Sequence, residues 1–222
     1  MNALNSSRLS IFRFCALLAG WVACLPTAFA TTPKIMVFGD SLAAAYGLAT
    51  QQGWVMLLAD QLEKRNPPAA VVNASISGET TRGGLARISA DLARHQPSLV
   101  LLELGANDGL RGLALRETRA NLAALIRTIV SAKADVVLIG IQIPPNYGLD
   151  YAREFREMYP GLAKQHKLTL VPFLLEGIAL QRELFQADGL HPTAAAQLRI
   201  VENVLPGIET ALKNSPRRKI NH

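Results

Sequence analysis

Four short fragments of this chain carry residue types that can do nucleophilic chemistry together. The first is Gly39-Asp40-Ser41-Leu42, and the last is Asp188-Gly189-Leu190-His191-Pro192. Between them lie Ser77-Gly78-Glu79-Thr80 and Gly105-Ala106-Asn107-Asp108. Asp and His three residues apart on a tight turn can share a face, so the carboxylate can orient the imidazole. Together the fragments supply the parts of an acyl-transfer site. Ser41 is the candidate nucleophile, and His191 is the general base that takes its proton and returns it to the leaving group. Asp188 fixes the imidazole tautomer and stabilises the imidazolium. The backbone N–H groups of Ser41 and Gly78, with the side-chain amide of Asn107, are candidate donors to a tetrahedral oxyanion.

Each fragment taken alone has a plainer reading. A lone serine after a strand is a helix cap. Gly78 is a loop glycine, and Asn107 can satisfy its own turn. Asp40 and Asp108 are expected to brace their loops by accepting backbone N–H bonds. Position relative to the secondary structure separates the two readings.

Five apolar runs punctuate the chain: Ile35–Phe38, Ala70–Asn73, Leu99–Leu104, Val136–Ile143 and Leu168–Val171. They lack clean polar alternation, as strands covered on both faces should. Helical stripes lie between them: Trp54, Leu57, Leu58 and Leu62; Leu85, Ile88 and Leu92; Leu122, Leu125, Ile126, Ile129 and Val130. A further helix is expected over about Tyr151–Gln165. The last is expected to open with Pro192 in its first turn and run through Leu198, Val201 and Val204, with a kink or restart at Pro206. Strand–helix alternation of this kind implies one α/β domain, a three-layer α/β/α sandwich on a five-stranded parallel sheet. Ligands of such sheets bind outside the carboxyl ends of the strands. All four fragments follow an expected strand or lie in the last loop, so they converge on one edge.

Four such blocks, in this order, resemble the GDSL or SGNH hydrolase family. Ser41, Gly78, Asn107 and His191 take the positions that name it, and Asp188 completes its DxxH block. The stretches Val72–Thr80, Glu103–Gly112 and Pro145–Tyr147 resemble a periplasmic subgroup with acyl-CoA thioesterase, lysophospholipase and arylesterase activities. The likeness runs from about Lys34 to Leu212; Glu79 stands where relatives often have Asp. It implies a flavodoxin-like fold, an acyl-enzyme on Ser41 and single-chain acyl esters or thioesters as substrates.

The ends of the chain point to export. Arg8 and Arg13 precede an uncharged apolar run, Phe14 to Leu25, and Ala28-Phe29-Ala30 supplies a small-x-small cleavage pattern. A dozen apolar residues are too few for a membrane span of roughly 20. Residues 1–30 are therefore read as a signal peptide cut after Ala30, with a periplasmic or secreted product that keeps no stable membrane insertion. An uncleaved anchor is the alternative, and acylation at Cys24 is disfavoured by Trp21-Val22-Ala23 before it. Cleavage removes both Cys15 and Cys24 and leaves about 190 of 222 residues, the size of one domain.

The formal charge of +6 resides at the termini. Arg8 and Arg13 leave with the leader, and Lys213, Arg217, Arg218 and Lys219 fall in a basic tail, 213–222. Removing these six from the 23 basic residues balances the body, 31–212, against its 17 acidic ones. No nucleic-acid motif accompanies the tail, and a monomer acting on a small molecule is expected. His95, His166 and His222 stand apart from other metal-ligand residues, and no HExxH, GxGxxG or phosphate loop occurs, so no metal or cofactor is expected. The elbow G-x-S-x-G is absent as well.

Leu110 and the segment Ile143–Asp150 are candidates for the acyl channel, with Pro145, Asn146 and Tyr147 as its substrate-facing residues. That segment reads equally as a mobile wall or a Pro-braced turn. A carbohydrate acetylesterase remains an alternative, which the 6% aromatic content disfavours. A non-catalytic envelope-binding module is the other, against which the intact set of Ser, Gly, Asn, Asp and His counts.

Overall fold

A computed structural model describes residues 32–215. Residues 1–31, which hold the expected leader, and residues 216–222 of the tail lie outside the described residues. Five strands form one parallel sheet in the order β2-β1-β3-β4-β5. They are β1 Lys34–Gly39, β2 Ala70–Asn73, β3 Leu99–Glu103, β4 Asp135–Ile139 and β5 Thr169–Val171. The helices are α1 Trp54–Glu63, α2 Thr81–His95, α3 Ala106–Leu110, α4 Leu115–Ser131, α5 Leu149–His166 and α6 Gln197–Asn214.

The period of two along the strands is present but carried by apolar residues on both faces. Met36, Phe38, Val100, Leu102, Val136 and Leu138 pack beneath α2, α4 and α5. Ile35, Val37, Leu99, Leu101, Val137 and Ile139 pack against α1 and α6. This three-layer burial is why the strands read as continuous apolar runs. Each such side chain taken from water contributes about 1.5–3 kcal/mol.

Several boundaries differ from the expectation. The run Val136–Ile143 leaves the ladder at Ile139: Gly140 donates its N–H to Val171 O and accepts from Leu174 N–H. Ile141 and Ile143 are still buried, in the core rather than in a strand. The final helix begins at Gln197, after a 3-10 turn Ala194–Ala196, and not at Pro192, which forms an antiparallel bridge with Phe185. Pro206 lies inside α6 without ending it, and Lys213 belongs to that helix. Val130 and Leu198 are 53% and 56% exposed. At 100° per residue Val130 sits about 80° round from Leu122, off the buried stripe, and Leu198 is displaced about 120° from Val204.

Trp54 ties three elements together below the site. It is fully buried; its indole Nε1 donates to Leu42 O at 2.9 Å, and its backbone N–H donates to Gln197 Oε1 at 2.9 Å. Trp54→Phe keeps most of the packing but leaves the Leu42 carbonyl without its donor. It is expected to lower unfolding free energy by about 1–3 kcal/mol in urea titrations, and an unchanged midpoint would refute this anchoring role.

Candidate active site

Ser41 lies in the turn that leaves the central strand β1. The turn starts at Gly39, where a Cβ would meet Glu103 Oε2 at 2.3 Å and Glu103 O at 2.8 Å, so only glycine fits. Asp40 N–H donates to Glu103 Oε2 at 3.1 Å, and Asp40 Oδ1 accepts the Leu42 N–H at 3.0 Å. Ala43 and Ala44 donate back to Asp40 O. Asp40 thus braces the loop as expected, and Ser41 is held at its crest.

The loop between Phe185 and Pro192 brings the histidine to this serine. Asp188 Oδ1 accepts the backbone N–H groups of Leu190 and His191 at 2.9 and 3.0 Å. Its Oδ2 lies 2.7 Å from His191 Nδ1, and His191 Nε2 lies 2.8 Å from Ser41 Oγ. An ionised carboxylate only accepts, so Nδ1 carries the proton and Nε2 is left to accept from the Ser41 hydroxyl. Slight desolvation raises the Asp188 pKa, but the two backbone N–H bonds and the His191 ring outweigh it and bring it down to about 2. Asp188 therefore stays charged through any working pH.

Residues that the sequence did not single out hold this loop. Gln186 Nε2 donates to Tyr46 O and Pro192 O, and Gln186 N–H donates to His191 O. The Arg182 guanidinium caps the carbonyls of Phe185, Gln186 and Ala187. The Tyr46 ring lies over His191 with centroids 4.3 Å apart and planes tilted 35°. Position in the sequence offers no signal for any of these three.

Gly78 and Asn107 flank Ser41 from the loops after β2 and β3. Gly78 adopts φ +79, a conformation open to glycine, with open space where a Cβ would point. Among the described residues neither the Ser41 nor the Gly78 N–H has a protein acceptor. Asn107 Nδ2 donates to Asp40 Oδ2 at 3.1 Å and to Glu79 O at 3.0 Å. Asp108 turns the other way: it accepts the Thr81 N–H at 2.9 Å and the Thr81 hydroxyl at 2.5 Å, fixing α2 against α3.

Two buried carboxyl groups lie directly behind the turn. Burial drives Asp40 from its ordinary value up to about 6, against the lowering effect of Leu42 N–H and Asn107. Burial and then Asp40 push the Glu103 carboxyl well above the usual carboxylate range. Its Oε1 has no partner among the described residues. Glu103 ends an otherwise apolar buried strand, a signal that the sequence did contain.

A cleft of about 630 Å³ opens over the serine. Ser41, Gly78, Asn107 and His191 stand at its polar end, and Leu110, Ile141, Ile143, Phe173 and Leu175 are among its apolar walls. Leu110 and Pro145 line it as expected. Asn146 and Tyr147 do not, because Pro145–Tyr147 winds into a 3-10 turn that carries both into solvent. Among the described residues no three His, Cys, Asp or Glu side chains gather as a metal site.

The chain is 48% identical over 197 residues to "Esterase TesA" of Pseudomonas aeruginosa, covering 88% of this chain and 98% of that one. It is 41% identical to "Thioesterase 1/protease 1/lysophospholipase L1" of Escherichia coli K12, over 76% of this chain and 79% of that one. The crystal structure of psychrotrophic esterase EstA from Pseudoalteromonas sp., inhibited by monoethylphosphonate, superposes with a TM-score of 0.78. It is 40% identical, over 82% of this chain and 99% of that one. Residues 37–199 match the GDSL-like Lipase/Acylhydrolase family, and the chain belongs to it.

Proposed function

We propose that this GDSL-family hydrolase cleaves esters and thioesters of single-chain acyl groups through an acyl-enzyme on Ser41. The observation that carries the reading is the unbroken Asp188–His191–Ser41 line of hydrogen bonds, 2.7 and 2.8 Å long, at the polar end of an apolar cleft. The relatives' names include esterase, thioesterase and lysophospholipase.

The acyl chain lies along Leu110, Ile143 and Phe173, with its carbonyl carbon over Ser41 Oγ. Nε2 of His191 takes the hydroxyl proton as Oγ attacks, and Asp188 stabilises the resulting imidazolium. The carbonyl oxygen becomes an oxyanion facing the N–H groups of Ser41 and Gly78, which have no protein acceptor to release. Asn107 Nδ2 already uses both hydrogens, on Asp40 and Glu79. It serves the oxyanion by a three-centre bond or by releasing the Glu79 carbonyl. Collapse breaks the bond to the alcohol or thiol, which leaves with the His191 proton. Water, deprotonated by the same nitrogen, then hydrolyses the acyl-Ser41 ester.

Export into the periplasm or the medium is part of the same reading and rests on residues 1–30. Among the described residues no helix is long and apolar enough to cross a membrane. The aliphatic walls of the cleft favour acyl chains over polysaccharide.

Ser41→Ala is expected to abolish p-nitrophenyl ester hydrolysis while leaving the circular dichroism spectrum unchanged; normal turnover would end the assignment. A fluorophosphonate probe should modify the wild-type protein once, at Ser41. Asn107→Ala should lower kcat by roughly 10²-fold with a smaller change in KM, and an unchanged kcat removes it from the oxyanion site.

Asp40 adds a stability prediction. Its folded pKa of about 6 exceeds the ordinary 3.8, so the fold favours the protonated form. That stabilisation is complete below about pH 4 and disappears as pH rises through 6. Between pH 4 and 7 the wild type should lose on the order of 2–3 kcal/mol more unfolding free energy than Asp40→Asn, measured by urea titration. Parallel pH dependences would contradict it.

A further inference from the structure

Three groups surround the imidazole of His191. Asp188 meets Nδ1, Ser41 meets Nε2, and the Tyr46 ring lies against its face, with centroids 4.3 Å apart and planes tilted 35°. The first two account for the path of the proton. The third has no part in the acyl-transfer steps, yet the chain is built to present it. The Tyr46 N–H donates to Ser41 O, and its carbonyl accepts from Gln186 Nε2. Its backbone is thus fixed to the nucleophile turn on one side and to the histidine loop on the other. Both neighbours are left-handed: Gly47 at φ +73, and Ala45 at φ +56, a conformation that alanine rarely adopts. Strain of this kind persists where the surroundings impose it, and it clusters at functional sites. The hydroxyls of Tyr151 and Tyr159 donate to Leu113 O and Leu104 O, whereas that of Tyr46 makes no hydrogen bond among the described residues. What the turn presents is the ring.

An aromatic face carries the negative part of the ring quadrupole, and a cation within about 6 Å of the centroid is attracted to it. In the reaction above, His191 becomes cationic once Nε2 has taken the proton from Ser41 or from water. The attraction therefore grows as the barrier is climbed, which is the condition for raising kcat rather than binding. We propose that Tyr46 is a positioning residue that acts through His191, its ring face stabilising the imidazolium formed in both half-reactions. This rests on the acyl-enzyme reading of Ser41. Tyr46 also borders the cleft, so an effect through substrate packing would fall on KM instead. Because the ring is half-exposed, the effect is moderate.

Hydrolysis of p-nitrophenyl butyrate tests it. Tyr46→Leu keeps an apolar side chain and removes the quadrupole; it should lower kcat by about 2- to 5-fold with little change in KM. Tyr46→Phe should keep the wild-type kcat. Phenylalanines with one, two and three ring fluorines at the same position retain the shape while draining negative potential from the face. Their kcat values should fall in that order toward the Tyr46→Leu value. Fluorinated rings as active as Tyr46→Phe would mean that shape alone matters, and a raised KM at constant kcat would mean that Tyr46 is only a cleft wall. Either result overturns the proposal, as does full activity in Tyr46→Leu. The fluorine series decides even where Tyr46→Leu fails to assemble, and complete fluorophosphonate labelling of Ser41 identifies the assembled variants. Turnover that persists in Ser41→Ala would refute the acyl-enzyme reading and this proposal with it; a flat fluorine series with Ser41 labelled refutes this proposal alone.

Discussion

The 2.8 Å contact between His191 Nε2 and Ser41 Oγ joins residues 150 positions apart, and the proposed chemistry depends on it. Such a contact is worth only about 0.5–1.5 kcal/mol by itself, too little to order the loop that carries the histidine. The order comes from elsewhere. Gln186 links that loop to the Tyr46 carbonyl, Arg182 gathers three of its carbonyls, and the Phe185–Pro192 bridge closes its base. Tyr46 then covers the imidazole face. Held this way, the histidine meets the serine without having to pull the loop into place.

The serine's side of the contact is set by strand register. Gly39 pairs with Glu103 across β1 and β3, so the turn after β1 and the segment after β3 leave the sheet side by side. The first carries Ser41, the second Asn107. Ala74 N–H donates to Val37 O and Ile76 N–H to Gly39 O, which brings the loop holding Gly78 along the same edge. Parallel pairing of three buried strands therefore assembles donors from three distant parts of the sequence. A slip of one residue would turn Phe38 away from α2 and expose or displace the apolar side chains of both faces, so the core enforces the register.

Most of this was legible in the sequence because it rests on periodicity and on position after strands. The five strands and the helices between them follow from apolar runs and stripes, and the site residues follow from what stands next to the runs. The misses have physical causes. Ile141 and Ile143 are apolar because they fill the core, and burial alone does not distinguish a strand from a buried coil. Pro192 fits a helix start equally well as a bridge residue, and the Phe185 pairing decides. Asn146 and Tyr147 follow a proline that can begin either a wall or an outward turn. Gln186, Arg182 and Tyr46 act through backbone carbonyls whose directions are fixed only after folding.

The two aspartates next to the chemistry show how environment divides one residue type between two roles. Asp188 lies in the open loop with two backbone N–H groups and an imidazole aimed at it, and its pKa falls to about 2. In the proposed reaction it provides a permanent charge for the imidazolium formed when Ser41 attacks. Asp40, a residue from the nucleophile, is buried with Glu103 behind it, and its pKa rises to about 6. Its carboxyl acts by geometry: one oxygen holds Leu42 N–H and so the crest of the turn, and the other holds the Asn107 amide. Burial favours the neutral form of Glu103, whose Oε2 accepts the Asp40 N–H. A full negative charge on both would oppose the negative charge that develops on the substrate oxygen. Burying one pair of carboxyls so that they ionise less readily than free ones, and placing the fully ionised carboxylate on the far side of His191, lets the same site favour an imidazolium and an oxyanion together.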